Sequence, residues 1–141
     1  MPNLFVEIVS PDHVAFSGEA QGVQAPGVDG SFEVLYNHSP MIAAFGVGAI
    51  RITTPSGEQI FFATSGGFLE VIDNHVNVMA ETAEPASDID VERAKAAEER
   101  ALTRLRAAEG EPERREAETA LERARNRLRV TMGQVGHRMN V

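Results

Sequence analysis

The charge and composition of this chain change abruptly near residue 88, and this break limits the folds that it can adopt. Residues 1–87 contain ten acidic side chains and one arginine, a net charge of −9, and are rich in Val, Ile, Phe and Gly. Residues 88–141 contain eleven acidic and twelve basic side chains, are rich in Ala, Glu and Arg, and contain no Phe or Tyr. Strand-forming and helix-forming residues are therefore segregated. This predicts two domains, 1–86 and 87–141.

The composition of the first region predicts an all-β sandwich. Its short runs of β-forming residues are separated by Gly, Pro, Asn and Asp without intervening helical patterns, which is typical of a sandwich or barrel. The pair Asp73-Asn74 predicts a two-residue hairpin turn, because both residues tolerate positive φ. Ser65-Gly66-Gly67 is interpreted as a tight β-turn, since no nucleophile motif surrounds the serine. The predicted strands are 4–9, 22–25, 31–35, 49–54, 59–64, 68–72 and 76–79.

The pattern of the second region predicts an antiparallel two-helix hairpin, so the fold class of the whole chain is α+β. Ser87, Asp88 and Asp90 are candidate N-caps for the first helix. The Gly-Glu-Pro sequence at 110–112 interrupts the helical pattern, and a proline suits the first turn of the next helix. Two helices joined by so short a break pack antiparallel.

The apolar stripe on both predicted helices is mostly alanine. An alanine stripe is less stabilising than a leucine stripe by about 0.8 kcal/mol for each methylene that is not buried. We therefore expect a weak contact between the helices, which opens without melting them. A static hairpin is the equally simple alternative. The stripe comprises Val91, Ala94, Ala101, Leu105 and Ala108, then Ala117, Ala120, Leu121, Ala124 and Leu128, with Met132 and Val135 as candidate extensions.

Arginines on both predicted helices suggest a phosphate site. Asp90 and Arg93 share a face of the first helix, and Arg100 lies seven residues further. Arg123 and Arg127 share a face of the second helix. If the hairpin closes, these guanidiniums converge and can bind a nucleotide triphosphate by bidentate hydrogen bonds, without a glycine-rich phosphate loop. The alternative for an acid–base pair at this spacing is ordinary solvated helix surface.

Several functional classes have no support in the sequence. The chain has no cysteine, which excludes disulfide and thiol chemistry, and its four histidines are not paired at metal-binding spacing. No constellation of acid, base and nucleophile indicates an enzyme. No basic stretch precedes an N-terminal apolar run, and no window approaches the ~20 apolar residues of a membrane span. We therefore expect a soluble, intracellular protein that does not bind nucleic acid and reaches a membrane only through a partner.

Several short motifs together resemble one known family. They are Phe16-Ser17-Gly18, residues 30–38 with Pro40, Ser65 to Val71, Val76-x-Val78, and Ile89-Asp90-Val91-Glu92-Arg93-Ala94. From about Leu4 to Leu128 the chain is similar to the epsilon subunit of F-type ATP synthases. Residues 31–40 depart from the family pattern E-L-G-I-x-P-G-H-x-P, because Ser31 replaces the acid and Tyr36-Asn37 replaces the Pro-Gly pair.

The resemblance implies a non-catalytic rotor-stalk subunit of a proton-translocating synthase, peripheral on the cytoplasmic face of the bacterial inner membrane. It implies a sandwich that binds the gamma subunit and the ring of c subunits, with Ser31 and His38 at the rotor interface. It implies a hairpin that extends to the alpha/beta catalytic head to inhibit ATP hydrolysis. No cofactor is required, but ATP is implied as a regulatory ligand. The matching ATP-binding positions are Glu84, Ile89, Asp90, Arg93, Ala94, Arg100, Arg123 and Arg127.

Two functional classes therefore compete. The first is the regulatory rotor subunit, in which ATP neutralises the converging arginines and holds the hairpin closed. The second is an independent adaptor, a β-sandwich whose helical arm binds another protein partner. Binding of the chain to gamma and c subunits distinguishes the two classes.

Overall fold

The chain divides into two compact units, Met1–Ala86 and Ser87–Val141. The structure is a computed structural model that describes the backbone of residues 2–139 and the side chains of residues 2–133. Within these residues, no helix is both long enough and apolar enough to cross a membrane. The first unit is built of strands and the second of helices, which confirms the predicted α+β class.

The first unit is a sandwich of two five-stranded sheets. The first sheet has the order β2-β1-β9-β8-β5 and the second has the order β10-β7-β6-β3-β4. All neighbouring strands are antiparallel except β1 and β9, which pair in parallel. The strands are β1 (Leu4–Val9), β2 (Val14–Ala20), β3 (Gly22–Ala25), β4 (Phe32–Leu35), β5 (Met41–Phe45), β6 (Gly48–Thr53), β7 (Gln59–Thr64), β8 (Gly67–Ile72), β9 (His75–Ala80) and β10 (Ala83–Pro85).

The hydrophobic core lies between the two sheets, and alternation of side chains along each strand determines which residues enter it. On β1, Leu4, Val6 and Ile8 are completely buried, whereas Phe5 faces outward. Val76 and Val78 on β9 are buried in the same way, with Asn77 between them on the outer face, because successive side chains of a strand point to opposite faces. Burying these aliphatic side chains supplies the main stabilisation of the sandwich.

The sequence did not predict β2, β5 and β10. Each has weak strand propensity, because β2 contains Ser17-Gly18, β5 contains two alanines and β10 ends in proline. Pairing with stronger neighbours stabilises them: β2 pairs with β1, β5 with β8 and β10 with β7. These strands therefore depend on tertiary contacts rather than on local sequence.

The two turn predictions had different outcomes. Asp73 and Asn74, with φ of 49° and 63°, connect β8 to β9, so the predicted hairpin is confirmed. The predicted tight turn at Ser65-Gly66-Gly67 is wrong, because this segment carries the chain from β7 in one sheet to β8 in the other. A Cβ atom on Gly67 would collide with the carbonyl oxygen of Met79, which explains the glycine there.

The second unit consists of two antiparallel helices, α1 (Val91–Ala107) and α2 (Glu111–Met139), after a single 3-10 turn at Ala86–Asp88. Asp90 is the N-cap of α1, and its carboxylate accepts a hydrogen bond from the backbone N–H of Arg93 at 3.1 Å. Pro112 lies in the first turn of α2, where its missing N–H is tolerated. The predicted hairpin is therefore confirmed.

Candidate functional site

The contact between the helices is a seam of small side chains. Ala94 and Ala101 on α1 and Ala117 and Ala124 on α2 are nearly or completely buried. Leu121, which is 8% exposed, is the one large side chain of the predicted stripe that is mainly buried. The alanine stripe was therefore predicted correctly in its centre. Its ends were not, because Val91 and Met132 are exposed, and the side chain of Val135 lies outside the described residues.

Two ion pairs identify the two sides of this seam. Arg104 and Glu116 are joined at 2.7 Å on one side, and Arg125 and Glu98 are joined at 3.0 Å on the other. Arg104 and Glu116 lie near the turn between the helices, and Glu98 and Arg125 lie further from it on each helix. The two pairs therefore also define the register of the antiparallel hairpin. Helical spacing then shows which other residues flank the seam on each side.

Four of the predicted ATP-binding residues lie on the same side as the Arg104–Glu116 pair. Arg100 is one turn before Arg104 and Arg93 is two turns before Arg100. Arg123 is two turns after Glu116, and Arg127 is one turn further. The register brings Arg93 level with the turn of Arg127, and Arg100 level with the turn of Arg123. We call this set of four arginines (93, 100, 123 and 127) the arginine side of the hairpin.

The arginine side carries positive charge that the chain does not neutralise with its own carboxylates at three of the four positions. Within the described residues, the guanidiniums of Arg93, Arg100 and Arg123 form no ion pair, and all three residues are exposed. Arg127 is half-buried. On the opposite side, Arg125 is paired with Glu98. The arginine side can therefore accept an anion without breaking an existing ion pair at those three positions.

The remaining predicted ATP-binding residues have packing and capping roles. Asp90 does not pair with the guanidinium of Arg93, because its carboxylate caps the helix through the Arg93 backbone N–H. Ile89 is 8% exposed and Ala94 is 3% exposed, so both are mainly buried. Glu84 belongs to the other compact unit, where it is half-buried on β10 opposite Ala63.

The predicted rotor-interface residues lie along one edge of the sandwich. Ser31 immediately precedes β4, and His38 follows the turn after β4. They are therefore at opposite ends of this strand, separated by about 13 Å or more at 3.3 Å per residue. A partner that contacts both must extend along the edge.

The same edge exposes apolar side chains that the sequence did not single out. β4 is the edge strand of the second sheet and β5 is the edge strand of the first, and the segment after β3 joins them through a bridge between Gly27 and Phe45. The exposure of Val28 could have been predicted from the sequence. It lies between two turn-forming pairs, Pro26-Gly27 and Asp29-Gly30, and a residue between two turns does not reach the core. The exposed apolar residues here are Val28, Leu35, Tyr36 and Ile42.

Two family descriptions match the chain, one for each unit. Residues 3–86 match "ATP synthase, Delta/Epsilon chain, beta-sandwich domain". Residues 87–132 match "ATP synthase, Delta/Epsilon chain, long alpha-helix domain".

Curated relatives and solved structures agree with these matches. The chain is 57% identical to the ATP synthase epsilon chain of Salinibacter ruber, over 97% of each chain. It is 44% identical to that of Syntrophomonas wolfei, over 89% of this chain and 92% of the relative. A chain of the Euglena gracilis mitochondrial ATP synthase shares its fold, with a TM-score of 0.79 and 22% identity over 89% of this chain and 80% of that one.

Proposed function

Because the chain belongs to the ATP synthase epsilon chain family, a family of non-catalytic subunits, we propose that it joins the rotor to the catalytic machinery and regulates ATP hydrolysis. Its sandwich binds the gamma subunit and the c-ring, and its hairpin responds to ATP. The Euglena gracilis chain with which it shares a fold belongs to an assembly of OSCP, F1 and the c-ring. The curated relatives are from bacteria, and in a bacterium such an assembly holds the chain peripherally at the cytoplasmic face of the inner membrane. Family membership gives no support to the alternative of an unrelated adaptor.

The arginine side of the hairpin is the observation that carries the ATP-sensing part of this proposal. Three exposed guanidiniums without ion pairs, and Arg127 beside them, lie on one side of two adjacent helices. A triphosphate concentrates several negative charges within the reach of such a cluster, and guanidinium forks bind phosphate oxygens in pairs. ATP therefore cross-links α1 to α2 when its phosphates contact arginines from both helices.

The alanine seam explains why the bound ligand determines the state of the hairpin. Helices that meet through alanine bury little area, so their contact contributes less than a leucine seam by about 0.8 kcal/mol for each missing methylene. Without ATP, repulsion among the arginines opposes closure. When ATP falls, the hairpin opens and the released basic helix contacts acidic surfaces of the alpha/beta head, where it blocks hydrolysis.

Isothermal titration calorimetry of ATP into the full chain tests the ligand. We expect the wild type to bind ATP and the substitution Arg123→Ala to weaken the affinity about ten- to hundredfold, because a charge-assisted hydrogen bond contributes about 1.5–3 kcal/mol. The matched control is Arg129→Ala, which removes an exposed arginine from the same helix but from the opposite side of the seam. We expect its affinity to stay within about twofold of the wild type, because a remote surface charge has little effect through solvent.

Two results would contradict the proposed ATP site. One is the absence of any heat of binding at millimolar ATP, which would remove the sensor function. The other is an equal loss of affinity in the two variants, because the affinity for ATP would then depend on the net charge of α2 rather than on the arginine side.

A further inference from the structure

Asn74 connects the β8–β9 turn to the loop that follows β4. Its side-chain Oδ1 accepts a hydrogen bond from the backbone N–H of Asn37 at 2.6 Å, and its Nδ2 donates to Asn37 Oδ1 at 3.3 Å. Its backbone oxygen accepts a hydrogen bond from the N–H of Phe5 at 2.9 Å. Asn74 is thus held by β1 through its backbone and holds the loop through its side chain. We call the two side-chain hydrogen bonds the Asn37–Asn74 clasp.

The clasp holds a segment whose other hydrogen bonds, among the described residues, are all local. In residues 36–40, the backbone N–H of His38 donates to Leu35, and His38 Nδ1 bonds the oxygen of Ser39. Among the described residues, the hydrogen bonds that connect this segment to a distant part of the chain are those of the clasp. Removing them leaves the loop with local hydrogen bonds alone.

Both residues adopt the left-handed conformation, and the choice of asparagine has a consequence for each. Asn37 has φ of 66° and Asn74 has φ of 63°, a region in which glycine is the residue of least strain. Glycine at either position would keep the backbone path. Only a side chain with an acceptor at position 74 can bind the N–H of Asn37, so the asparagine adds a long-range bond that glycine cannot supply.

The loop that the clasp holds is the one that carries Tyr36 and His38 at the edge of the sandwich. Tyr36 is 43% exposed and His38 is half-buried. An interface loop that is already ordered in the free protein loses little conformational entropy on binding, and its affinity for the partner is therefore higher. We propose that Asn74 is a positioning residue for the rotor interface, acting through Asn37 to present Tyr36 and His38. This inference rests on the proposed rotor function and concerns the affinity of that contact.

Surface plasmon resonance with the full chain and a purified subcomplex of gamma and c-ring from the same organism tests the inference. The substitution Asn74→Gly deletes the clasp while retaining the turn, because Asp-Gly is a preferred pair for this type of hairpin. We expect its affinity to fall about three- to tenfold, the effect of one neutral hydrogen bond of about 0.5–1.5 kcal/mol. Its melting temperature should fall by no more than about 5 °C, since Asn74 lies outside the hydrophobic core and only hydrogen bonds at the surface are lost.

Two conservative variants separate positioning from a purely structural role. Asn37→Gly retains the N–H that donates to Asn74 and loses only the longer bond, so its affinity should remain within about twofold of the wild type. Asn74→Asp retains the acceptor for the Asn37 N–H and should recover most of the affinity that Asn74→Gly loses. Faster amide exchange at Asn37 in Asn74→Gly would verify that the clasp is broken.

The possible failures are distinguishable. If the wild type does not bind the subcomplex, the proposed rotor contact is wrong and the inference falls with it. If the wild type and Asn74→Gly bind equally well, the rotor contact stands and the inference alone is overturned. Equal loss in Asn74→Gly and Asn74→Asp also overturns it, because the acceptor would then be irrelevant.

Discussion

At the scale of single residues, Asp90 shows how a motif can be interpreted in two ways. Its spacing from Arg93 indicated a pair of opposite charges on one helix face, but the carboxylate binds the Arg93 backbone N–H instead. A residue in N-cap position has extended backbone, and its short side chain reaches the free N–H groups of the first turn. Its contribution to helix stability is therefore separable from any contribution to ATP binding.

The N-cap role gives a stability prediction. We expect Asp90→Ala to lower the free energy of unfolding by about 1 kcal/mol, because the N–H of Arg93 loses its acceptor. The control Asp90→Asn retains a capping oxygen and should remain within about 0.5 kcal/mol of the wild type. Thermal unfolding followed by circular dichroism at 222 nm measures both. An Asp90→Ala protein with the same free energy of unfolding as the wild type would show that the cap contributes little to the stability of the hairpin.

At the scale of secondary-structure elements, the small seam residues set the distance between α1 and α2. Ala101 is 2% exposed and Ala117 is completely buried, so a longer side chain at either position has to displace the atoms that cover it. The strength of each helix comes from its own composition, while the strength of the hairpin comes from this seam. The two properties can therefore be changed independently.

Enlarging a seam residue tests how tightly the helices pack. We expect Ala101→Leu to reduce the free energy of unfolding by about 1–3 kcal/mol, because extra methylenes in a packed contact force the helices apart. The same change at exposed Ala96, on the same helix, should have an effect of no more than about 0.5 kcal/mol. Urea unfolding of the full chain gives both values. A more stable Ala101→Leu protein would mean that the seam contains unused space.

At the scale of the whole molecule, the chain combines two units with different sources of stability. The sandwich has a continuous hydrophobic core, whereas the hairpin is held mainly by alanine contacts and a few exposed ion pairs such as Arg104–Glu116. Exposed ion pairs contribute about 0–1 kcal/mol each. A change that opens the hairpin therefore costs little and does not require the sandwich to unfold.

Pulsed electron paramagnetic resonance in the assembled synthase measures this opening. The chain has no cysteine, so cysteines introduced at positions 92 and 132 would be its sole sites for spin labels. Glu92 and Met132 are exposed and lie at a similar level on the two helices. With ATP we expect a short distance between the labels, because the axes of packed helices lie about 8–10 Å apart and the label side chains add only their own length. After ATP removal it should increase, up to a limit of about 60 Å, the length that forty residues would span as one continuous helix.

A control pair and a contradictory result complete this experiment. Labels at Lys95 and Arg106 lie on α1 alone and should stay about 16 Å apart in both conditions. An unchanged distance between Glu92 and Met132 would show that ATP does not control the hairpin.

Much of this structure could be predicted from local sequence because local chemistry determines it. Alternating apolar residues determined which face of β9 enters the core, and Asp73-Asn74 specified a hairpin by tolerating positive φ. The arginine side also followed from spacing, since residues four and seven apart share a helix face. What spacing could not determine was which carboxylate meets which arginine, because those pairs depend on the register of two helices.

By itself, the sequence determined a β-rich acidic half, a helical half joined by a short break, and an alanine seam between the helices. Only the tertiary structure decided that β2, β5 and β10 are strands, since neighbouring strands supply the pairing that their own residues do not favour. It also decided that Asn37 and Asn74, thirty-seven residues apart, form a clasp. The physical reason is the same in both cases: a hydrogen bond between distant segments forms only after the core has brought those segments together.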